Sequence, residues 1–460
     1  MRVGGRATLV GAGCSGPLLA AILARRGIAV TLYERRRDPR LGHREVGRSI
    51  NLALTERGLR VIDRAGLRSK IEDLLVPMRG RLVHAPDGTR TFMPYGRLPG
   101  EFIWSISRSE LNERLLTAAE RCGASLRFGE RCTGVDFSAG TLGLEDATGH
   151  AGSIPFSPHN PVFGTDGARS AVRRAMQDAG LTGLREETLS HCYKELLIPA
   201  RPDGAYQMER EVLHIWPRGS YMLIALPNID GSFTATLFLE RSGNAPSFET
   251  LVDAAAVDAL MQRDFADAAA LVPDLAAQFF ANPAGAMSTL HVSTWQHRSG
   301  VLLLGDAAHG IVPFHGQGMN CAFEDCAVLD DLIAAGLEGE ALFAQFAAQR
   351  LPDTEAIARM AVENYEEMRS AVRDPAFQLQ KALSLELERR HPQRFIPRYS
   401  MVSFHAEIPY SEAERRGAIQ QRILSEALRG RTSLDGIDFG AIDAMICAQL
   451  EPIGVISTGS

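Results

Sequence analysis

The chain has 460 residues, 45% hydrophobic and 23% charged, and 49 basic against 55 acidic side chains leave a formal charge of -6. That length exceeds what one hydrophobic core supports, so two or three intergrown units are expected. The mild acidity disfavours nucleic-acid binding, and seven scattered cysteines without a CxxC pair speak against a disulfide scaffold or a structural zinc site and for a reducing compartment.

The first element is a short apolar run, Ala7-Thr8-Leu9-Val10, readable as a buried parallel strand. Gly11-Ala12-Gly13-Cys14-Ser15-Gly16 follows, then a helical pattern over 17–26, Gly27 as a stop, and a second strand over 29–33 that ends in Glu34. The three glycines serve different ends. Gly11 makes the tight turn, Gly13 admits a pyrophosphate, and Gly16 lets helix and strand pack closely. The helix start offers free N–H groups to phosphates, and Glu34, 18 residues after Gly16, stands where an acid binds ribose hydroxyls. The motif reads as a dinucleotide site without separating FAD from NAD(P). Arg35, Arg36 and Arg37 read as a solvated run with one member near the cofactor phosphates, because Glu34 would repel a 2′-phosphate.

Further along, 81–84, 92–95 and 102–105 read as short strands around a Pro-Asp-Gly turn at 86–88. Phe163-Gly164-Thr165-Asp166-Gly167-Ala168-Arg169 then leads into a helix over 171–177, where Asp166 alone would be an ordinary N-cap. Stretches 213–217, 221–226 and 232–239 form a meander that predicts an antiparallel wall. Val301-Leu302-Leu303-Leu304 is a buried strand ending in Gly305-Asp306, followed by Pro313-Phe314-His315-Gly316-Gln317-Gly318-Met319-Asn320 and a helix over about 321–335. From 351 onward the chain reads as helical, with 356–371 and 375–390 the strongest candidates. Cys321 and Cys326 are five apart on a helix and face different sides, so no metal site is expected. The apolar stretch at 445–456 is broken by Glu451 and Pro452 and falls short of the ~20 residues a membrane span needs. A soluble, cytoplasmic protein without a membrane anchor is expected.

Taken in this order, the three motifs resemble those of the FAD-dependent aromatic hydroxylases, the single-component class A flavoprotein monooxygenases. The resemblance implies an α/β protein: a Rossmann-like FAD-binding fold, an antiparallel β-sheet substrate domain and a C-terminal helical region. It divides the chain into FAD-binding parts at 1–75, 101–180 and 286–345, substrate-domain strands at 76–100, a β-sheet substrate domain at 181–285 and a helical cover at 346–460. It implies cofactor contacts from Gly11, Gly13, Gly16, Glu34, Arg35 and Arg108, and from Asp166, whose motif is associated with both FAD and NADPH. Asp306 would bind the ribitol, and Gly318, Met319 and Asn320 would face the flavin ring, where a helix N-terminus stabilises negative charge.

Longer segments narrow the match. Gly47-Arg48-Ser49-Ile50-Asn51-Leu52-Ala53-Leu54, Pro94-Tyr95-Gly96, Ile103-Trp104-Ser105-Ile106-Ser107-Arg108, Leu213-His214-Ile215-Trp216-Pro217 and Arg394-Phe395-Ile396-Pro397-Arg398-Tyr399-Ser400-Met401 are similar to the kynurenine-hydroxylating branch of the family. That resemblance implies FAD, NADPH and O2 as cofactor and co-substrates and formation of 3-hydroxykynurenine through a flavin C4a-hydroperoxide, in tryptophan degradation and NAD biosynthesis. A relative acting on a substituted kynurenine is the alternative. By the same resemblance Arg81 and Tyr95 hold the substrate carboxylate with help from Asn364. Met368, Tyr399, Phe238, Ile224, Leu226, Phe314 and His315 line the aromatic pocket, with His315 also a candidate proton relay. An amino-acid tail on an aryl ketone calls for such a site, since Arg gives a charge-assisted clamp and Tyr a further hydrogen bond. L-Kynurenine is the expected partner of a monomer or homodimer.

Overall fold

Leu9, Val30, Leu32, Val162, Phe163 and Leu302 are all buried, and in the computed structural model they form the centre of a six-stranded sheet. The structure describes residues 5–42, 51–369 and 374–454. The strands lie in the order Gln296–His297, Val301–Leu303, Val162–Gly164, Arg6–Val10, Ala29–Glu34 and Ser125–Phe128. All neighbours are parallel except the outermost pair at Gln296–His297. Parallel strands covered on both faces have no solvated side to mark with polar residues, which is why they read as continuous apolar runs. Helix Ser15–Arg25 buries Leu18, Leu19, Ile22 and Leu23 against this sheet. The carboxyl ends of the strands share one edge, where Gly11, Glu34, Thr165 and Gly305 stand, and where ligands bind in open α/β sheets.

A second sheet of seven strands runs in the order Gly285–Val292, Leu184–Ile198, Phe233–Glu240, Met222–Pro227, Leu213–Pro217, Gly80–His84 and Arg90–Pro94. The meander expected at 213–239 is its centre. The wall is not wholly antiparallel, however: Arg81, Leu82 and Val83 pair in parallel with Leu213, His214 and Ile215. Those two segments reach the sheet separately, with much of the nucleotide fold between them in the chain, so no hairpin dictates their direction. The expected strand at 102–105 lies elsewhere, as Ile103–Ser107 in a three-stranded sheet with Asn51–Leu54 and Val76–Met78.

Side chains alternate across the second sheet with a period of two. Trp216, Leu223, Ala225, Ala235 and Leu237 point to the back and pack with Val257, Leu260, Phe265 and Phe279. Leu213, Ile215, Met222, Leu226 and Phe238 point to the front and pack with Tyr95, Phe314, Ala361 and Met368. The front cluster is the candidate chamber.

The helical part begins earlier than its sequence suggests. Helix Gly339–Arg369 contains Pro352 and starts well before the expected 351. Helix Gly318–Ala334 likewise starts three residues before the expected 321, because Gly318 opens it. Pro375–Arg390, Arg398–Phe404, Tyr410–Ala427 and Phe439–Gln449 complete the cover. Buried contacts tie it to the nucleotide fold: Arg350 reaches Asp325 at 2.7 Å and Glu324 at 2.6 Å, and Arg57, itself 2.7 Å from the other Glu324 oxygen, donates its Nε–H to the Val402 carbonyl at 2.8 Å. Among the described residues no helix is long and apolar enough to cross a membrane. Residues 47–50 of one quoted segment, and 370–371 of one expected helix, lie outside the described residues.

Candidate active site

The Gly-rich turn sits at the edge of the first sheet. Gly11 has φ +101°, and a Cβ there would lie 2.4 Å from Asp166 Cα, so only glycine fits. A Cβ on Gly16 would lie 2.1 Å from the Gly11 carbonyl oxygen, which is the close helix–turn packing expected of it. At Gly13 a Cβ would meet nothing within 4 Å. Gly13 instead opens on a cavity of about 1000 Å³ that Glu34, Arg35 and Arg108 also line. Glu34 accepts the Ala12 N–H at 2.8 Å and the Arg36 Nε–H at 2.8 Å. Burial pushes its carboxyl up, but the bonds from Arg36 and the Ala12 N–H outweigh burial and hold it below the usual range. A glycine backbone open to the cavity, a helix N-terminus, exposed arginines and an ionised acid at the second strand end suit a dinucleotide such as FAD.

The other expected cofactor residues divide into two groups. Asp306 opens the short helix Asp306–His309 with its side chain exposed at the strand edge, and Gly318 and half-buried Met319 begin the next long helix. The side chains of Asp166 and Asn320 also hold contacts within the fold. Asp166 Oδ2 accepts the Ala171 N–H at 2.6 Å at the start of helix Ala171–Asp178, whose N-cap is Ser170, while its buried Oδ1 has no partner among the described residues. Burial pushes that carboxyl up. Asn320 accepts the Thr55 N–H at 3.0 Å and donates to the Ala53 and Gly316 carbonyls at 2.8 Å each. What Asn320 leaves for a ligand is the backbone of its helix start.

The chamber draws on distant segments. Arg81 is buried and gives Nη1 to Glu367 at 2.8 Å and Nη2 to Asn364 at 3.4 Å. Burial works against its charge, but Glu367 and the flanking tyrosines outweigh that and raise its pKa. Tyr95 and Tyr399 stack beside the guanidinium, and His315 stacks on the far side of Tyr399 at 5.1 Å. Asn364 donates to the Phe314 carbonyl at 2.6 Å and sits 3.4 Å from Met368 Sδ. Phe238, Phe314, Leu226 and Met368 share one cluster, with Ile224 and Tyr399 packed against it. The structure thus brings together all ten expected substrate residues.

Sequence reasoning missed Glu367, Tyr365 and Lys381. Tyr365 stacks on Phe314 at 3.9 Å. Lys381 donates to the Pro94 carbonyl at 3.1 Å, and burial followed by the Arg81 charge pushes its pKa down to about 8. Glu367 had a legible signal: it follows Asn364 by three and so shares its helical face. His315 is buried, its Nδ1 has no partner among the described residues, and burial, then Arg398, Arg81 and Arg57, push its pKa down to about 3. Its imidazole is neutral at ordinary pH.

The sequence matches the FAD-binding domain family over residues 6–361. It is 48% identical to a kynurenine 3-monooxygenase of Stenotrophomonas maltophilia over 447 residues, 96% of each chain. Identity to a kynurenine 3-monooxygenase of Xanthomonas axonopodis pv. citri is also 48%, over 97% of each. Among solved structures the fold is similar to tetrameric 2-methyl-3-hydroxypyridine-5-carboxylic acid oxygenase, with TM-score 0.62, 20% identity, and coverage of 83% of this chain and 97% of that one. It is also similar to PqsL of P. aeruginosa in complex with 2-aminobenzoylacetate, with TM-score 0.63, 20% identity, and coverage of 80% and 97%. These structures establish the fold alone.

Proposed function

We propose that this chain, which belongs to the kynurenine 3-monooxygenase family of FAD-dependent hydroxylases, holds kynurenine in the chamber beneath Arg81. Its activity is the FAD-dependent hydroxylation of kynurenine, with NADPH and O2 as co-substrates. When bound, FAD supplies the activation of O2 at the edge of the substrate ring.

One observation carries the assignment of the chamber. Arg81 Nε and Tyr95 Oη are buried donors with no partner in hydrogen-bonding geometry among the described residues. Leaving such donors unsatisfied costs about 1–3 kcal/mol each, and a carboxylate between them satisfies both. Arg81 and Tyr95 therefore hold the substrate carboxylate, with Asn364 fixing Arg81. The Glu367 carboxylate, already 2.8 Å from Arg81, faces the α-ammonium. The ring lies among Ile224, Leu226, Phe238, Phe314 and Met368, walls that exclude water and orient one ring edge. The substrate's own arylamine donates electron density to that ring, so no protein base is required. His315, neutral and stacked, lines the pocket.

Gly11, Gly13, Gly16, Glu34, Arg35, Arg108 and Asp306 hold the FAD, with the helix start at Gly318, Met319 and Asn320 against its ring and Asp166 supporting the turn. The interleaving of the two sheets along the chain supports the division at 75, 100, 180, 285 and 345. Seven free cysteines support a cytoplasmic location, and size-exclusion chromatography decides between monomer and homodimer.

The test measures NADPH oxidation with and without L-kynurenine and identifies the product by mass spectrometry. Stimulated oxidation with a product one oxygen heavier is expected. Stimulation without that product makes kynurenine an effector only.

A further inference from the structure

Behind the second sheet, away from the chamber, two histidines meet in an arrangement the chemistry above does not use. His84 ends strand Gly80–His84, His214 lies on the adjoining parallel strand, and both are buried. His84 Nε2 is 2.9 Å from His214 Nδ1, and His84 Nδ1 is 3.0 Å from Asp267 Oδ2. His214 Nε2 is 2.8 Å from the Glu209 carbonyl oxygen. Trp216 stacks on His84 at 4.1 Å and donates its indole N–H to Asp267 Oδ1 at 2.9 Å.

Counting protons fixes the state of this row. A carbonyl oxygen and an ionised carboxylate only accept. Burial pushes the Asp267 carboxyl up, but the bonds from His84 and Trp216 outweigh it and bring it down to about 2, so it is ionised. Both ends of the row Asp267–His84–His214–Glu209 are then acceptors. Its three contacts need three N–H protons, and two neutral imidazoles carry only two. Three hydrogen bonds along the row need one additional proton, held at the end next to the Asp267 carboxylate, because burial pushes the His214 pKa down to about 4.

This charge sits on the opposite face of the strand that carries the carboxylate clamp. Arg81 and His84 share one five-residue strand and point to opposite faces of the sheet. Three residue pairs join that strand to its parallel neighbour, and a slip of one residue would turn Arg81 to the back. The His84–His214 bond runs diagonally across the two strands, from the residue after the last of those pairs to the partner of Leu82, and Arg218 grips the His84 carbonyl oxygen at 3.0 Å. We infer that His84, His214 and Asp267 form a singly protonated clamp behind the sheet that positions Arg81 for the substrate carboxylate. The inference rests on the reading of Arg81 as that carboxylate's partner. All three are positioning residues.

The test is a double-mutant cycle on the FAD-loaded enzyme, reading kcat and KM for L-kynurenine. Asp267→Asn keeps the shape and removes the counter-charge, at a side chain 44% exposed where folding tolerates change. It should raise KM about five- to tenfold with kcat within about twofold. In the Arg81→Ala background it should change kcat/KM no further, because its effect runs through Arg81. The same factor in both backgrounds, or a loss in kcat instead of KM, overturns the inference. If Arg81→Ala alone leaves kcat/KM unchanged, the carboxylate reading falls first and the inference with it. ¹⁵N-histidine NMR gives a second readout, in which one proton coupled to a nitrogen of each ring is expected. Two uncoupled neutral rings would also overturn it.

Discussion

Tyr95 and Tyr399 stack with centroids 5.3 Å apart and planes 8° from parallel, and the Arg81 guanidinium lies 5.6 and 5.2 Å from their centroids. Tyr95 follows a β-strand, and Tyr399 belongs to helix Arg398–Phe404. The clamp is therefore closed by contact between the sheet and the helical cover, and the guanidinium gains cation–π attraction from both rings.

Arg81→Ala removes the charge-assisted clamp and leaves the nucleotide cradle intact. KM for kynurenine should rise about 10- to 150-fold, the equivalent of 1.5–3 kcal/mol, with FAD absorbance per protein unchanged. Arg81→Lys should recover little, since lysine lacks the planar fork. Steady-state kinetics that match the parent enzyme would remove Arg81 from the site.

Glu367→Gln tests the ammonium assignment. The parent enzyme should prefer kynurenine over the same keto acid lacking its α-amino group, and the variant should lose most of that preference, about tenfold. A preference that survives the substitution would assign the ammonium to another group.

Asp306→Ala should weaken flavin retention, read as a lower ratio of visible to ultraviolet absorbance after gel filtration. Asp166→Ala should act on the fold instead. It removes an acceptor for the Ala171 N–H beside the Ser170 N-cap, worth about 1 kcal/mol, and should lower Tm with flavin still bound. A colourless but equally stable Asp166→Ala protein would make Asp166 a cofactor ligand.

His315 gives a pH prediction with a definite sign. Its folded pKa of about 3 lies below its ordinary 6.5, so between those values the unfolded chain binds the proton and the folded chain does not. Stability should fall as pH falls through that window, and His315→Gln should flatten the slope. The inflections of kcat above about pH 5 should not move in that variant, since the imidazole does not change its charge there. A lost inflection would restore the relay role.

The parts of the fold that repeat locally were legible in the sequence. The strand–glycine–helix–strand unit at 7–34 and the meander at 213–239 follow from runs and alternation that a short window contains. The early start of helix Gly339–Arg369 was not, because it rests on packing against the nucleotide fold, with Arg350 held by Asp325 and Glu324.

The chamber was legible only through resemblance. Arg81, Phe238, Phe314, Asn364 and Tyr399 are scattered over some three hundred residues, and no periodicity links them. The parallel pairing of Arg81 with Leu213, and with it the contact of His84 and His214, is a product of topology that neither strand announces alone. Asp166 and Asn320 add a second kind of contact that their motifs do not announce, since Asp166 accepts an N–H at a helix start and Asn320 ties its helix to Thr55 and Ala53.

Helix Gly339–Arg369 carries the boundary between what this chain shares widely and what it keeps for one substrate. The matched family region stops at 361, in mid-helix, and Asn364, Glu367 and Met368 follow within two turns. On the proposed reading of the site, selectivity for an amino-acid tail is written in a short extension whose phase is set by the shared part. Inserting a single residue at the junction would rotate all three side chains by roughly 100°, so grafting such a segment between relatives succeeds only when the spliced helix keeps its count.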